Sequence, residues 1–176
     1  MIQRNTQTEI EKLLKQFPAV VIGGARQIGK STLAKQIAKK RKQKALYFDL
    51  ELPSDRRKLD DMESLFTQNA DKLIIIDEAQ TMPELFTVLR PIIDAKRKAG
   101  RFLLLGSVSP FLIRHVSETL AGRIAHIELP SINVIEAQKS KIDLYKLWFR
   151  GGYPEALKLR TNQQWNLWMF NYEKTF

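Results

Sequence analysis

The chain alternates between short unbroken apolar runs and longer stretches where apolar residues recur every three or four positions. Val20-Val21-Ile22, Leu73-Ile74-Ile75-Ile76 and Phe102-Leu103-Leu104-Leu105 are continuous runs, the pattern of parallel strands covered on both faces. The full pattern predicts strands at residues 19–22, 45–50, 72–77, 101–106 and 124–129. Helical periodicity fills the intervals at about 6–16, 30–42, 54–68, 83–99 and 109–121. A Thr6-x-x-Glu9 capping box is expected to open the first helix, and Gly100 to end the fourth. Strands joined by helical crossovers make an α/β doubly wound parallel sheet. From about residue 130 the pattern changes to short helical pieces without strong strands. The expected division is a core over 1–130 and a helical segment over 131–176.

Composition narrows the class. A length of 176 residues supports one α/β domain with a proper core. The absence of cysteine excludes disulfides and thiolate metal sites. The polar start Met1-Ile2-Gln3-Arg4-Asn5-Thr6 lacks a signal-peptide stretch, and no apolar run is long enough to cross a bilayer. A cytoplasmic protein without membrane contact is expected. The net charge of +10 is the one unusual bulk property. Its clusters are Lys39-Lys40-Arg41-Lys42-Gln43-Lys44, Arg56-Arg57-Lys58 and Lys96-Arg97-Lys98. Two of the three close predicted helices, where cations offset the dipole and stay solvated. A nucleic acid or another acidic partner is the competing explanation. His115 and His126 stand in no metal-ligand pattern and are read as surface and strand residues.

Chemistry concentrates after the first strand. Gly24-Ala25-Arg26-Gln27-Ile28-Gly29-Lys30-Ser31, followed by Thr32, is a P-loop pattern between a strand and a helix. Glycines there let backbone N–H groups wrap a phosphate at a helix N-terminus. Lys30 is expected on the β- and γ-phosphates and the Ser31 hydroxyl on Mg²⁺. A chance glycine-rich turn would not need both flanking elements. The third strand ends in two adjacent carboxylates, Asp77 and Glu78, at the edge where open parallel sheets bind ligands. Asp77 suits the Mg²⁺ shell opposite Ser31, and Glu78 the polarisation of an attacking water; capping of the next helix is the plain alternative. No N/T-K-x-D segment that would read guanine lies on the predicted strands, and a kinase would not need the second carboxylate. Hydrolysis of ATP therefore leads.

Ser107, after the fourth strand, is expected beside the γ-phosphate. Ser109, before Pro110, reads instead as a helix N-cap. Arg123 precedes the fifth strand. It could reach a phosphate of its own chain, project into a neighbour's site, or be an ordinary surface arginine.

With these residues in hand, the chain is similar to the prokaryotic AAA+/STAND-like P-loop ATPases whose first motif reads G-x-R-Q-x-G-K-[ST], with Ala25 where proline is usual. The match runs through Asp77-Glu78-x-Gln80, Gly106-Ser107, Leu120-Ala121-Gly122-Arg123 and Gly151-Gly152-Tyr153-Pro154-Glu155. The resemblance implies the additional-strand, catalytic-glutamate ATPase core with a short helical lid. It also implies that Gly152-Tyr153-Pro154 packs on adenine, with Pro154 at the nucleotide, and that Arg123 is a possible arginine finger. Without it, Gly-Gly-Tyr-Pro is a turn.

Relatives of that kind continue into a second domain, so a truncated module is expected. Trp165, Trp168, Met169, Tyr172 and Phe176 form an apolar stripe that would serve an effector domain or a second copy. The leading reading is a slow, partner-controlled switch ATPase. A nucleic-acid-associated ATPase and a binding module with vestigial hydrolysis are the alternatives.

Overall fold

The computed structural model describes residues 2–41, 43–107 and 120–174. These form two compact units. One comprises Thr6–Ala25 with Lys30–Leu129, and the other gathers Met1–Asn5, Arg26–Gly29 and Pro130–Phe176.

The first unit is built on five parallel strands: β1 (Ala19–Gly23), β2 (Ala45–Asp49), β3 (Leu73–Asp77), β4 (Phe102–Leu105) and β5 (Ile124–Glu128). Their order is β2-β3-β4-β1-β5. The apolar pattern explains this order. The three continuous runs, β1, β3 and β4, are the interior strands, and β3 and β4 are buried throughout. The mixed sequences of β2 and β5 take the edges, where part of each strand meets solvent. β4 lies between β1 and β3, the strand inserted in the additional-strand P-loop fold. Each predicted strand agrees with the observed one to within a residue at either end.

Helices α1 (Thr6–Gln16), α2 (Lys30–Lys40), α3 (Pro53–Lys58), α4 (Met62–Gln68) and α5 (Glu84–Ala95) belong to the same unit. Phe66, Leu85, Phe86, Leu89 and Ile93 from α4 and α5 join Ile74, Ile76, Phe102 and Leu104 in one core. Truncating one of these leucines to alanine would cost about 2–5 kcal/mol.

Several helical expectations need correction. Thr6 is the first residue of α1 rather than its cap. The helix expected over 54–68 is two helices. The α3 segment closes at Leu59, and Asp61 caps α4 by accepting the Ser64 N–H at 3.1 Å. The helix expected to reach residue 99 stops at Ala95. The cause is Arg101, 1 % exposed, which donates to the carbonyls of Ile92 (2.9 Å), Lys96 (3.1 Å) and Phe66 (3.3 Å) and so captures two helix ends. Gly100 is therefore no helix cap. It closes the turn into β4, with its N–H on the Phe17 carbonyl at 2.9 Å. Of the helix expected at 109–121, residues 109–119, with Ser109 and His115, lie outside those described.

The second unit contains α6 (Val134–Lys139), α7 (Leu144–Arg150), α8 (Pro154–Lys158) and α9 (Asn162–Lys174). Ile132, Ala137 and Leu157 form its small core, with Ile2, Ile142 and Leu147 against it. A reciprocal capping box between Asn133 and Glu136 starts α6. The aromatic stripe on α9 is partly covered within this unit. Trp165 meets Phe149 at 5.0 Å between ring centroids, and Tyr153 meets Tyr172 at 5.1 Å. The apolar side chains left most open are Trp148, Tyr145 and Leu167, at 79, 66 and 65 % exposure. Among the described residues, no helix is long and apolar enough to cross a membrane.

Candidate functional site

Strand order decides which residues meet. Because β4 separates β1 from β3, the loop leaving β1, Ser107 beyond β4 and Asp77-Glu78 at the end of β3 all emerge at the carboxyl edge of three adjacent strands. That edge is where open α/β sheets receive ligands.

The loop after β1 has the backbone of an anion cradle. Gly24, Gln27 and Gly29 have positive φ values of 150°, 59° and 101°, the kind of backbone from which anion-binding turns are built. Gly29 needs to be glycine for its dihedral rather than for space. A Cβ there would stand 3.7 Å from Pro154 Cγ, an ordinary contact. Lys30 opens α2, is 5 % exposed, and donates from Nζ to the Gly24 and Ala25 carbonyls at 2.9 Å each. Neutral carbonyls hold the ammonium more weakly than phosphate oxygens would, so the donor set fits a polyphosphate.

Beside the loop lies a cluster that sequence reasoning missed. Tyr47 of β2 donates its hydroxyl to Asp77 Oδ2, and the Ser31 side chain lies near enough to that hydroxyl to draw its pKa down. Burial first, and then the bond to Asp77, holds the Tyr47 hydroxyl well above the usual tyrosine range. Lys35, one helical turn beyond Ser31, places Nζ 4.5 Å from the centre of the Tyr47 ring. Asp77 is 3 % exposed. Ser31 and Asp77 thus both lie at the Tyr47 hydroxyl. One hydroxyl and one carboxylate suit Mg²⁺, which keeps most of its shell as water and phosphate oxygen. Among the described residues, no group of three or more His, Cys, Asp or Glu could hold a metal by itself. The signal for Tyr47 was weak: a tyrosine in an otherwise apolar strand, directly in register with Ile75 two positions before Asp77.

Glu78 stands in the left-handed region, at φ 53° and ψ 41°. A non-glycine residue there stores strain of about 1–3 kcal/mol. It begins a short 3₁₀ turn, Ala79–Thr81, without a side-chain capping bond, so capping does not account for it. Its carboxylate accepts instead from Gln80 Nε2. Ser107 is half-buried.

Arg123 does not join this cluster. It precedes β5, at the amino edge of the sheet, where its carbonyl receives the Ala19 N–H at 3.3 Å. The length of β1, about 16 Å for its 5 residues, separates that position from the loop. Its guanidinium grips Asp94 with two bonds, of 2.7 and 2.8 Å. The Asp94 bond raises the Arg123 pKa, and Arg123 lowers that of Asp94. His126 lies on β5, exposed.

Within the second unit, Pro154 is the first residue of α8 and lies beside Gly29. Gly152 is required by close approach, since a Cβ there would stand 2.5 Å from the Ile132 carbonyl oxygen. Gly152 in turn accepts the Ile132 N–H at 2.8 Å.

Comparison with known proteins agrees with this geometry. Residues 16–138 match the AAA domain family. Two uncharacterised proteins, from Mycobacterium bovis and Mycobacterium tuberculosis, are each 38 % identical over 174 residues, 99 % of this chain. The chain spans 38 % of the length of each of these relatives. A Walker-type ATPase of Pyrococcus abyssi superposes with a TM-score of 0.64, at 16 % identity, over 89 % of this chain and 65 % of that one; at that identity the likeness is one of fold. Sheet order, P-loop and family match lead to one assignment: the chain belongs to the AAA domain family, as a P-loop ATPase core.

Proposed function

We propose that this chain binds ATP with Mg²⁺ and hydrolyses it slowly, as a nucleotide-dependent switch for an effector domain or partner. The adjacency of β1, β4 and β3 carries this reading, because it gathers the loop, Ser107, Asp77 and Glu78 at one edge. Gly24, Ala25, Arg26, Gln27, Ile28 and Gly29 would surround the phosphates, Thr32 would extend that contact at the start of α2, and Lys30 would leave the loop carbonyls for phosphoryl oxygens. Mg²⁺ would supply charge neutralisation on those oxygens. Ser31 and Asp77 would hold it, with Tyr47 fixing the carboxylate between them. Glu78, aimed by its left-handed backbone and by Gln80, would accept a proton from the attacking water. Ser107 would steady that water, and Pro154 would face the base. Arg123 could serve only a neighbour's site, after release from Asp94.

Hydrolysis and binding measured together test this. Lys30→Ala is expected to lower ATP affinity by about a hundredfold or more, since it removes a charge-assisted phosphate contact. Glu78→Gln is expected to keep binding and to lower turnover about 10²–10⁴-fold. Equal turnover by wild type and Glu78→Gln would leave a binding module instead. The basic clusters favour nucleic acid less than their number suggests. Lys39–Lys44 and Lys96–Lys98 precede strands at the amino edge, whereas Arg56–Lys58 follows β2 at the carboxyl edge.

A further inference from the structure

The segment ahead of α1 carries a buried arginine that the phosphate chemistry does not use. Arg4 is 6 % exposed, and its guanidinium has three partners. Nε donates to Glu136 Oε2 at 3.2 Å, Nη1 to the Ile28 carbonyl at 3.1 Å, and Nη2 to the Pro130 carbonyl. Glu136 is completely buried and also accepts the Asn5 N–H at 2.7 Å. Through its capping box it forms the first turn of α6. One planar fork therefore ties a peptide of the phosphate loop to the start of the helical segment, across sequence separations of 24 and 132 residues.

Peptide geometry makes the Ile28 contact informative. The Ile28 carbonyl and the Gly29 N–H share one rigid plane and point in opposite directions. Fixing the carbonyl thus fixes the direction of the N–H that the loop would offer to phosphate. A buried ion pair adds little net stability over an apolar replacement, so stabilisation alone is a poor reason for burying this one. Its geometry is the distinctive property, and lysine cannot reproduce a three-way planar contact.

We propose that Arg4 is a positioning residue that sets the Ile28–Gly29 peptide for phosphate binding and couples the state of the loop to α6 through Glu136. This rests on the ATP-binding reading above. Any rotation of that peptide on phosphate binding moves the guanidinium, and Glu136 must follow or lose its partner. The three tryptophans, Trp148, Trp165 and Trp168, lie in the same unit as this network, and their emission provides a readout independent of turnover.

The test uses the full chain and a fluorescent ADP analogue, with tryptophan emission recorded to saturation with unlabelled ADP. Wild type is expected to bind and to shift its emission. Arg4→Lys keeps the charge beside Glu136 but loses the fork. It is expected to bind about tenfold more weakly, as for loss of a charge-assisted bond, and to show no emission shift at saturation. The double variant Arg4→Met/Glu136→Gln leaves no buried charge alone and carries both readouts if Arg4→Lys does not fold. Affinity within twofold of wild type, with the same emission shift, would overturn the coupling while leaving ATP binding intact. Failure of wild type itself to bind ADP would overturn the ATP-binding reading, and the coupling with it.

Discussion

The two edges of the sheet are made from the same strands and differ in almost every other respect. At the amino edge, guanidinium groups are settled on protein acceptors. Arg123 holds Asp94, Arg97 donates to the Gly122 carbonyl at 2.8 Å, and Arg101 gathers three helix-end carbonyls. At the carboxyl edge the backbone is strained and a buried carboxylate accepts the Tyr47 hydroxyl. Gln27 and Glu78 are two of the three non-glycine residues with positive φ among those described. Arginine at the first edge completes helix ends and turns, whereas at the second a buried carboxylate accepts a tyrosine hydroxyl and two residues hold left-handed backbone. Strain and buried charge that serve no packing purpose mark the chemical edge better than charge density does.

The sharpest way to break this comparison is to remove the strain. Glu78→Gly frees a left-handed backbone position that costs an L-residue about 1–2 kcal/mol. It is expected to stabilise the fold by up to about 1 kcal/mol, while turnover falls about a hundredfold or more. Thermal melting beside an ATPase assay reads both; a variant less stable than wild type would mean that the Glu78 side chain is structural.

A smaller effect is expected at Tyr47. Tyr47→Phe keeps the ring under Lys35 but removes the hydroxyl between Ser31 and Asp77. The Mg²⁺ concentration for half-maximal nucleotide binding should rise about tenfold, the usual cost of losing a group that orients a metal-holding side chain. Binding without Mg²⁺ should stay near the wild-type level. An equal loss with and without Mg²⁺ would place Tyr47 outside metal positioning.

Arg123→Ala should matter less still in dilute protein, with ATP affinity within about twofold of wild type, because an exposed ion pair contributes little. If the loss appears only at concentrations where chains associate, the amino edge supplies a neighbour's site.

The least effect is expected from Asp55, whose pKa is lowered first by the Asp49 N–H it accepts and then by Lys58. A carboxylate depressed in the fold stabilises it above its ordinary range, and loses that contribution as pH falls through the depressed value. Wild-type melting temperature should therefore drop below about pH 4, and Asp55→Asn should flatten that drop. Identical acid profiles would show that other carboxylates govern acid stability.

Much of this architecture was legible in the chain, for identifiable reasons. Continuous runs such as Leu73–Ile76 can lie only where both faces are covered, so they read as interior strands, and the P-loop spacing reads as a phosphate cradle. Helix ends were less legible. The end of α5 depends on Arg101, which lies beyond it in sequence, and no local signal at Ala95 announces it. The Asp61 cap was available in the sequence, however, and splits the helix expected over 54–68.

The local repertoire was determined by the sequence itself: strands from unbroken apolar runs, a glycine-dependent loop, and carboxylates placed at a strand's end. These follow from steric and solvation rules that act over a few residues. Only the tertiary structure decided which distant groups meet. It inserted β4 between β1 and β3, put Tyr47 between Ser31 and Asp77, moved Arg123 to the far edge, and joined Arg4 to Ile28 and Glu136. Such contacts are set by packing across many residues of separation, where periodicity carries no information and strand order carries nearly all of it.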